Sequence, residues 1–185
     1  YFFNNSKGHL INDAIVNYNN EVFVAKVYFS YIQKYYKYYK KKKNEEYSFW
    51  AKKYMEQTIK ELYSIYDKSI HIINYLYDLR IEPNMDFKKN VRTSLKKVNK
   101  TFYEKVNSVY SRLYRDKYKN ILRDDITHNM SSLFSKFVPI YEENKKTEWK
   151  IEEAITIDEG INIIEDICKL LEENKSIIVN ELCDF

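Results

Sequence analysis

Glycine and proline are almost missing from this chain, with two of each in 185 residues. The tight turns of β-sandwiches and barrels, and the glycine-rich phosphate loops of βαβ folds, need those residues in number. Their scarcity points to long helices joined by few corners. Hydrophobic residues make up 44% of the chain and aromatics 17%, which excludes a disordered polymer. One ordinary domain is expected at this length. It should bury about 70% of its unfolded surface without disulfide or metal staples.

Four stretches carry apolar residues at alternating spacings of three and four, the signature of amphipathic helices. The first runs through Ile11, Ile15, Tyr18, Val22, Ala25, Phe29, Ile32 and Tyr36. The second runs from Ile59 through Leu62, Tyr66, Ile70 and Ile73 to Tyr77, with Trp50 and Tyr54 one or two turns earlier. The third runs from Val91 through Leu95, Val98, Phe102, Val106, Val109 and Leu113 to Ile121. The fourth runs from Ile157 through Ile161, Ile164, Cys168, Leu171 and Ile178 to Leu182.

The breaks between them are short. Lys40–Asn44 is a charged corner, and Glu82-Pro83-Asn84 ends the second helix because a residue before proline avoids the α region. Asp86 can cap the third helix, and Thr156 or Asp158 the last. A short apolar segment, Met130–Tyr141, is interrupted by Pro139, and Trp149–Ile157 is either extended or the lead-in to the last helix. The expected fold is all-α: an up-down bundle of four long helices plus one short helix. It forms a single domain over residues 1–185, with residues 141–160 as a loop region before the last helix.

Many chemistries are excluded. The chain has no GxxxxGK[ST], no GxGxxG and no GxSxG motif. Cys168 and Cys183 have no CxxC spacing, so neither a disulfide framework nor a zinc site is expected. His9, His71 and His128 lie far apart and lack a second ligand at helical spacing. No metal and no cofactor are expected. His71 sits one position off the apolar stripe and reads as a boundary histidine satisfied by a hydrogen bond, and His9 lies in a fraying terminus. No basic segment precedes an apolar one at the start, and no apolar run approaches 18 residues, so neither a signal peptide nor a membrane contact is expected. A cytoplasmic protein with reduced thiols is the simplest expectation.

Charge is divided along the chain. Residues 1–140 carry a net +12 and residues 141–185 a net −8. Either the acidic last helix packs beside a basic body, or that body attracts polyanions such as RNA. The tract from Gln33 to Lys43 interleaves Lys37, Lys40, Lys41, Lys42 and Lys43 with paired tyrosines. It is either the solvated, dipole-compatible end of the first helix or a stacking and phosphate platform for single-stranded RNA.

One cluster remains, Arg123-Asp124-Asp125-Ile126-Thr127-His128, at the break after the third stripe. A planar guanidinium can hold two phosphate oxygens, an imidazole can move a proton near neutral pH, and Asp124 can orient either. The plain alternative is that Asp124 or Asp125 caps a short helix, Arg123 pairs with it, and His128 lies on the surface.

At these residues the sequence resembles the HEPN superfamily, helical bundles marked by Arg, a polar residue, three to five further positions, then His. The order of long helices before the motif and a closing helix after it also matches. The resemblance implies a metal-independent endoribonuclease in which a 2′-hydroxyl attacks the neighbouring phosphate. His128 would be the general base or acid, Arg123 would stabilise charge on phosphorus, and Asp124 would hold the geometry. It also implies a homodimer with two motifs facing one cleft, RNA as partner, and room for an antitoxin or other partner protein in a defence or toxin-like system. A toxin branch has Tyr two residues after the His, where this chain has Met130. The alternatives are a bundle that binds RNA or a nucleotide without cutting, and a structural helical partner protein.

Overall fold

A computed structural model describes residues 6–114, 135–140, 148–153 and 155–183, with side chains for 8–114 and 155–183. Helix α1 spans Ser6–Lys42, α2 Glu45–Leu76, α3 Phe87–Val98, α4 Lys100–Tyr114 and α5 Ile157–Cys183. A two-stranded antiparallel ribbon pairs β1 (Ser135–Ile140) with β2 (Glu148–Glu153). The helical bundle is the expected fold, with α1, α2 and α5 as three of its long helices. None of the described helices is long and apolar enough to cross a membrane.

Helix α2 lies at the centre and packs on α1, α3 and α5. Its buried residues include Ala51, Met55, Ile59, Leu62, Tyr66, Ile70 and Ile73, the three-and-four stripe that the sequence carries. Ile32 of α1, Phe102 and Val106 of α4, and Ile164 and Ile167 of α5 close around it. Truncating a buried isoleucine here to alanine should cost about 2–5 kcal/mol. Polar ties fix α5 on this core. Buried Asn174 donates to the Ser69 hydroxyl at 2.9 Å, and Ser69 donates to the Tyr66 carbonyl at 2.6 Å. The charge division has a direct structural counterpart. Acidic α5 pairs with the basic body through Arg112 and Glu173, and through Lys40 and Asp158 at 3.7 Å.

Three boundaries differ from the sequence expectation. Helix α2 ends at Leu76, six residues ahead of Glu82. Asp78 and Arg80 take left-handed φ values of 48° and 54°, and the Asn74 amide both donates to the Ile81 carbonyl and accepts from its N–H. A side chain within the helix thus folds the chain back before the proline acts. The third stripe is two helices, because Asn99 is extended at φ −142°, ψ 92°. Its Oδ1 accepts from Phe102 N–H at 3.0 Å, capping α4. Its Nδ2 reaches the Tyr77 hydroxyl at 2.8 Å and Glu181 at 3.0 Å. Val98, read as a core residue, is 61% exposed beside that break. The expected loop at 141–160 holds β2 and the first turn of α5. Thr156 starts that helix with a capping box. Its hydroxyl accepts from Glu159 N–H at 3.2 Å, and the Glu159 carboxylate accepts from Thr156 N–H at 2.7 Å. Asp86 stands at the N-cap of α3 without a side-chain cap bond, while Asn84 Oδ1 accepts its N–H at 2.9 Å.

Residues 135–140, inside the short apolar segment, are extended. Pro139 lies opposite Trp149 in the ribbon, and a two-stranded ribbon has an outer edge on each strand that can accommodate the missing donor.

Candidate nucleic-acid interface

The corner between α1 and α2 is built locally. Tyr39 O accepts from Lys43 N–H at 2.8 Å, Lys43 turns left-handed at φ 54°, and Asn44 caps α2 by accepting from Glu46 N–H at 2.8 Å. The two helices then run back along each other. Tyr28, Tyr31, Tyr35, Tyr38 and Lys42 recur at spacings of three and four and so form one stripe of α1. Tyr47, Trp50 and Tyr54 form the facing stripe of α2.

These rings touch in sequence. Tyr31 and Tyr54 stack with centroids 4.9 Å apart, and Tyr35 and Tyr54 stack at 5.6 Å. Tyr35 lies 6.5 Å from Trp50, Trp50 meets Phe49 edge-on at 5.4 Å, and Tyr38 lies 5.5 Å from Tyr47. Such pairs add about 0.5–1.5 kcal/mol each beyond their burial. The ladder is not sealed: Phe49 is 52% exposed and Trp50 41%. Desolvation pushes the Tyr54 hydroxyl above its ordinary value, and tyrosines 35, 31 and 28 add to that shift.

The five lysines proposed for RNA divide into groups. Lys40 turns toward α5, with its ammonium 4.1 Å from the Tyr36 ring centre and 3.7 Å from Asp158. Tyr36 also donates to Asp158. The hydrogen bond with Tyr36 is the main reason that the Lys40 ammonium is held above its ordinary pKa. Lys42 lies 5.7 Å over the Tyr47 ring and 6.0 Å over Tyr38, and Lys43 lies 5.7 Å over Tyr39. Lys37 and Lys41 are exposed. Sequence reasoning missed the α2 half of this surface. It counted Trp50 and Tyr54 toward the core stripe, whereas Ala51 and Met55 are the buried residues in that turn. The legible signal was the 47, 50, 54 spacing, which matches the tyrosine spacing of α1.

Arg123, Asp124 and His128 lie outside the described residues. The described chain before them ends in a second charged and aromatic cluster where α2, α3 and α4 meet. Lys88 of α3 binds both carboxylate oxygens of Asp67 at 2.7 and 2.9 Å, and the Tyr114 hydroxyl lies 3.3 Å from the same carboxylate. The Arg92 guanidinium sits 3.3 Å from the Tyr110 ring centre and reaches Asn107 Oδ1 at 3.3 Å. Beneath them the Tyr66 hydroxyl is buried with no hydrogen-bond partner among the described residues, and burial holds its pKa far above the ordinary tyrosine value.

His71 is half-buried, as expected of a boundary residue, and its ring packs 4.4 Å from Phe87. Burial, aided by Lys68, pulls its pKa below the ordinary histidine value and so favours the neutral imidazole. It borders a polar cleft of about 290 Å³ with Asp13, Asn17, Lys68 and Tyr75. His9 is exposed near the start of α1. Among the described residues no group of three His, Cys, Asp or Glu side chains could hold a metal ion.

No curated protein and no solved structure matches the chain. A family model described as HEPN_Cthe2314-like HEPN does match, over residues 9–183. That span takes in α2, α3, α4, the ribbon, α5 and nearly all of α1, and the chain therefore belongs to the HEPN family.

Proposed function

We propose that the protein is a metal-independent endoribonuclease of the Arg-x4-His type, working as a homodimer in the cytoplasm. The observation that carries this reading is the conjunction of HEPN membership over residues 9–183 with the Arg123-to-His128 spacing in the same chain. The basic, aromatic corner of α1 and α2 supports it as a surface for a polyanion with flat bases.

In the proposed reaction His128 takes the proton of a ribose 2′-hydroxyl or returns one to the leaving 5′-oxygen. The 2′-oxygen bonds to phosphorus, the bond from phosphorus to the 5′-oxygen breaks, and a 2′,3′-cyclic phosphate and a 5′-hydroxyl remain. Arg123 stabilises the charge that develops on the phosphoryl oxygens, and Asp124 orients Arg123 and His128. Two motifs in a dimer would let one imidazole act as base and the other as acid. Lys37, Lys41, Lys42 and Lys43 hold the flanking phosphates, and Lys40 adds to their field while it is tied to Asp158.

The test is cleavage of mixed RNA in EDTA by the full chain. Wild type should cut, and His128→Ala and Arg123→Ala, shown to be folded by circular dichroism, should lose about 10²–10⁴-fold. Asp124→Asn should lose less. A folded His128→Ala variant that cuts at the wild-type rate overturns the assignment. Wild type that binds RNA without cutting it replaces the nuclease reading with a binding one.

A further inference from the structure

The ladder on α1 and α2 has features that the core does not need. Tyr28, Tyr31, Tyr35 and Tyr38 extend over about three turns, roughly 15 Å of helix. A stripe that only joined two helices would be filled by Leu, Ile or Ala, as it is farther from the corner at Ala25, Ile59 and Leu62. At the corner it is filled by flat rings with polar tips. Phe49 and Trp50 then sit at its outer edge, half in solvent, although each is among the costliest side chains to leave wet.

Charge is concentrated at the same place. Residues 34–53 hold eight lysines against two glutamates. The Lys42 ammonium lies over the ring faces of Tyr38 and Tyr47, and Lys53 lies 5.9 Å over Phe49. Lys53 also donates to Glu56 at 3.0 Å, and Lys42 is exposed. Cations thus stand on aromatic faces. This is the pairing that a single strand needs: a π-face for each unpaired base and an ammonium for the phosphate beside it. An obligate protein interface would be poor in lysine.

We infer that the outer face of the α1–α2 corner, centred on Trp50 and Phe49, is a stacking surface for unpaired bases of an RNA strand. This rests on the RNA reading above and adds to it the site and the form of RNA that it takes. A paired helix hides its base faces, so the surface selects single-stranded segments.

Trp50 reports directly on this. The chain has two tryptophans, and Trp149→Phe leaves Trp50 as the sole indole emitter. The ligand is a six-nucleotide 2′-O-methyl uridine oligomer, which lacks the 2′-hydroxyl and is not cleaved by the proposed reaction. Its binding is followed both by Trp50 emission and by anisotropy of a dye on the oligomer. The expected result is saturable quenching of Trp50 that tracks the anisotropy. An abasic oligomer with the same phosphates should bind more weakly and leave Trp50 unquenched. Trp50→Ala should weaken binding about tenfold or more, as loss of one stacked base implies. Lys41→Ala with Lys42→Ala should flatten the salt dependence.

Anisotropy that rises with no quenching, together with unchanged affinity in Trp50→Ala, overturns the inference and leaves the RNA reading standing. No binding of the oligomer or of mixed RNA overturns both. A Trp50→Ala variant that becomes monomeric while keeping its RNA affinity also overturns it, and assigns the face to a second copy of the chain.

Discussion

Asn44 and Asn99 do the same job at two corners and reveal different sources of order. Each stands extended before a helix and offers its side-chain oxygen to a backbone N–H of the first turn. Asn44 does this alone, after a run of lysines that already marks a helix end. Asn99 interrupts a stripe whose spacing stays helical through the break. Its amide nitrogen is anchored by Tyr77 on the α2 C-cap and by Glu181 on α5. The first corner is made by neighbours in sequence and the second by partners that only the folded chain brings near. That is why one was legible and the other was not.

The largest test of that contrast is Asn99→Ala. It removes the cap on α4 and two tertiary hydrogen bonds, so it should cost about 2–3 kcal/mol, a fall of roughly 5–10 °C in Tm. Asn99→Asp should keep the cap but place a carboxylate beside Glu181, and recovery of less than half the loss would measure the tertiary share. Asn44→Ala should cost about 1 kcal/mol, roughly 3 °C, and Asn44→Asp should restore it fully. If the Asn44 and Asn99 variants behave alike, the distinction between local and tertiary corners fails.

Lys43→Gly should act in the opposite direction. A left-handed lysine costs about 1 kcal/mol relative to glycine, so the variant should melt a few degrees higher and bind RNA more weakly.

The smallest effect belongs to a third helix start, the capping box of α5. The Glu159 carboxyl is held below its ordinary pKa, first by the Thr156 N–H and then by the Thr156 hydroxyl. A depressed folded pKa means stability that is present above the ordinary carboxylate range and lost as pH falls through the folded value. Glu159→Gln should therefore lose less melting temperature between pH 7 and pH 4 than wild type does. Wild type should show the steeper acid limb.

The same division between local and long-range causes explains what else could be read. The stripes of α1, α2 and α5 are periodicities of one helix each and were legible, and the Thr156 cap of α5 is one of the two starts that the sequence offered. The early end of α2 depends on Asn74 reaching Ile81 across a loop, and the register of β1 on β2 depends on two strands meeting. Neither leaves a local mark. At the candidate interface the lysine tract was legible because it is contiguous. The α2 rings were misassigned because Trp50 and Tyr54 lie within one turn of a true core stripe, and spacing alone does not decide which neighbour of Ala51 faces inward. Arg123 and His128 are legible as a spacing within a family.

Lys43 also limits its own replacement. Asparagine tolerates the left-handed backbone far better than lysine does, but it carries no charge. A substitution that relaxed this corner would therefore also take a positive charge from its tip.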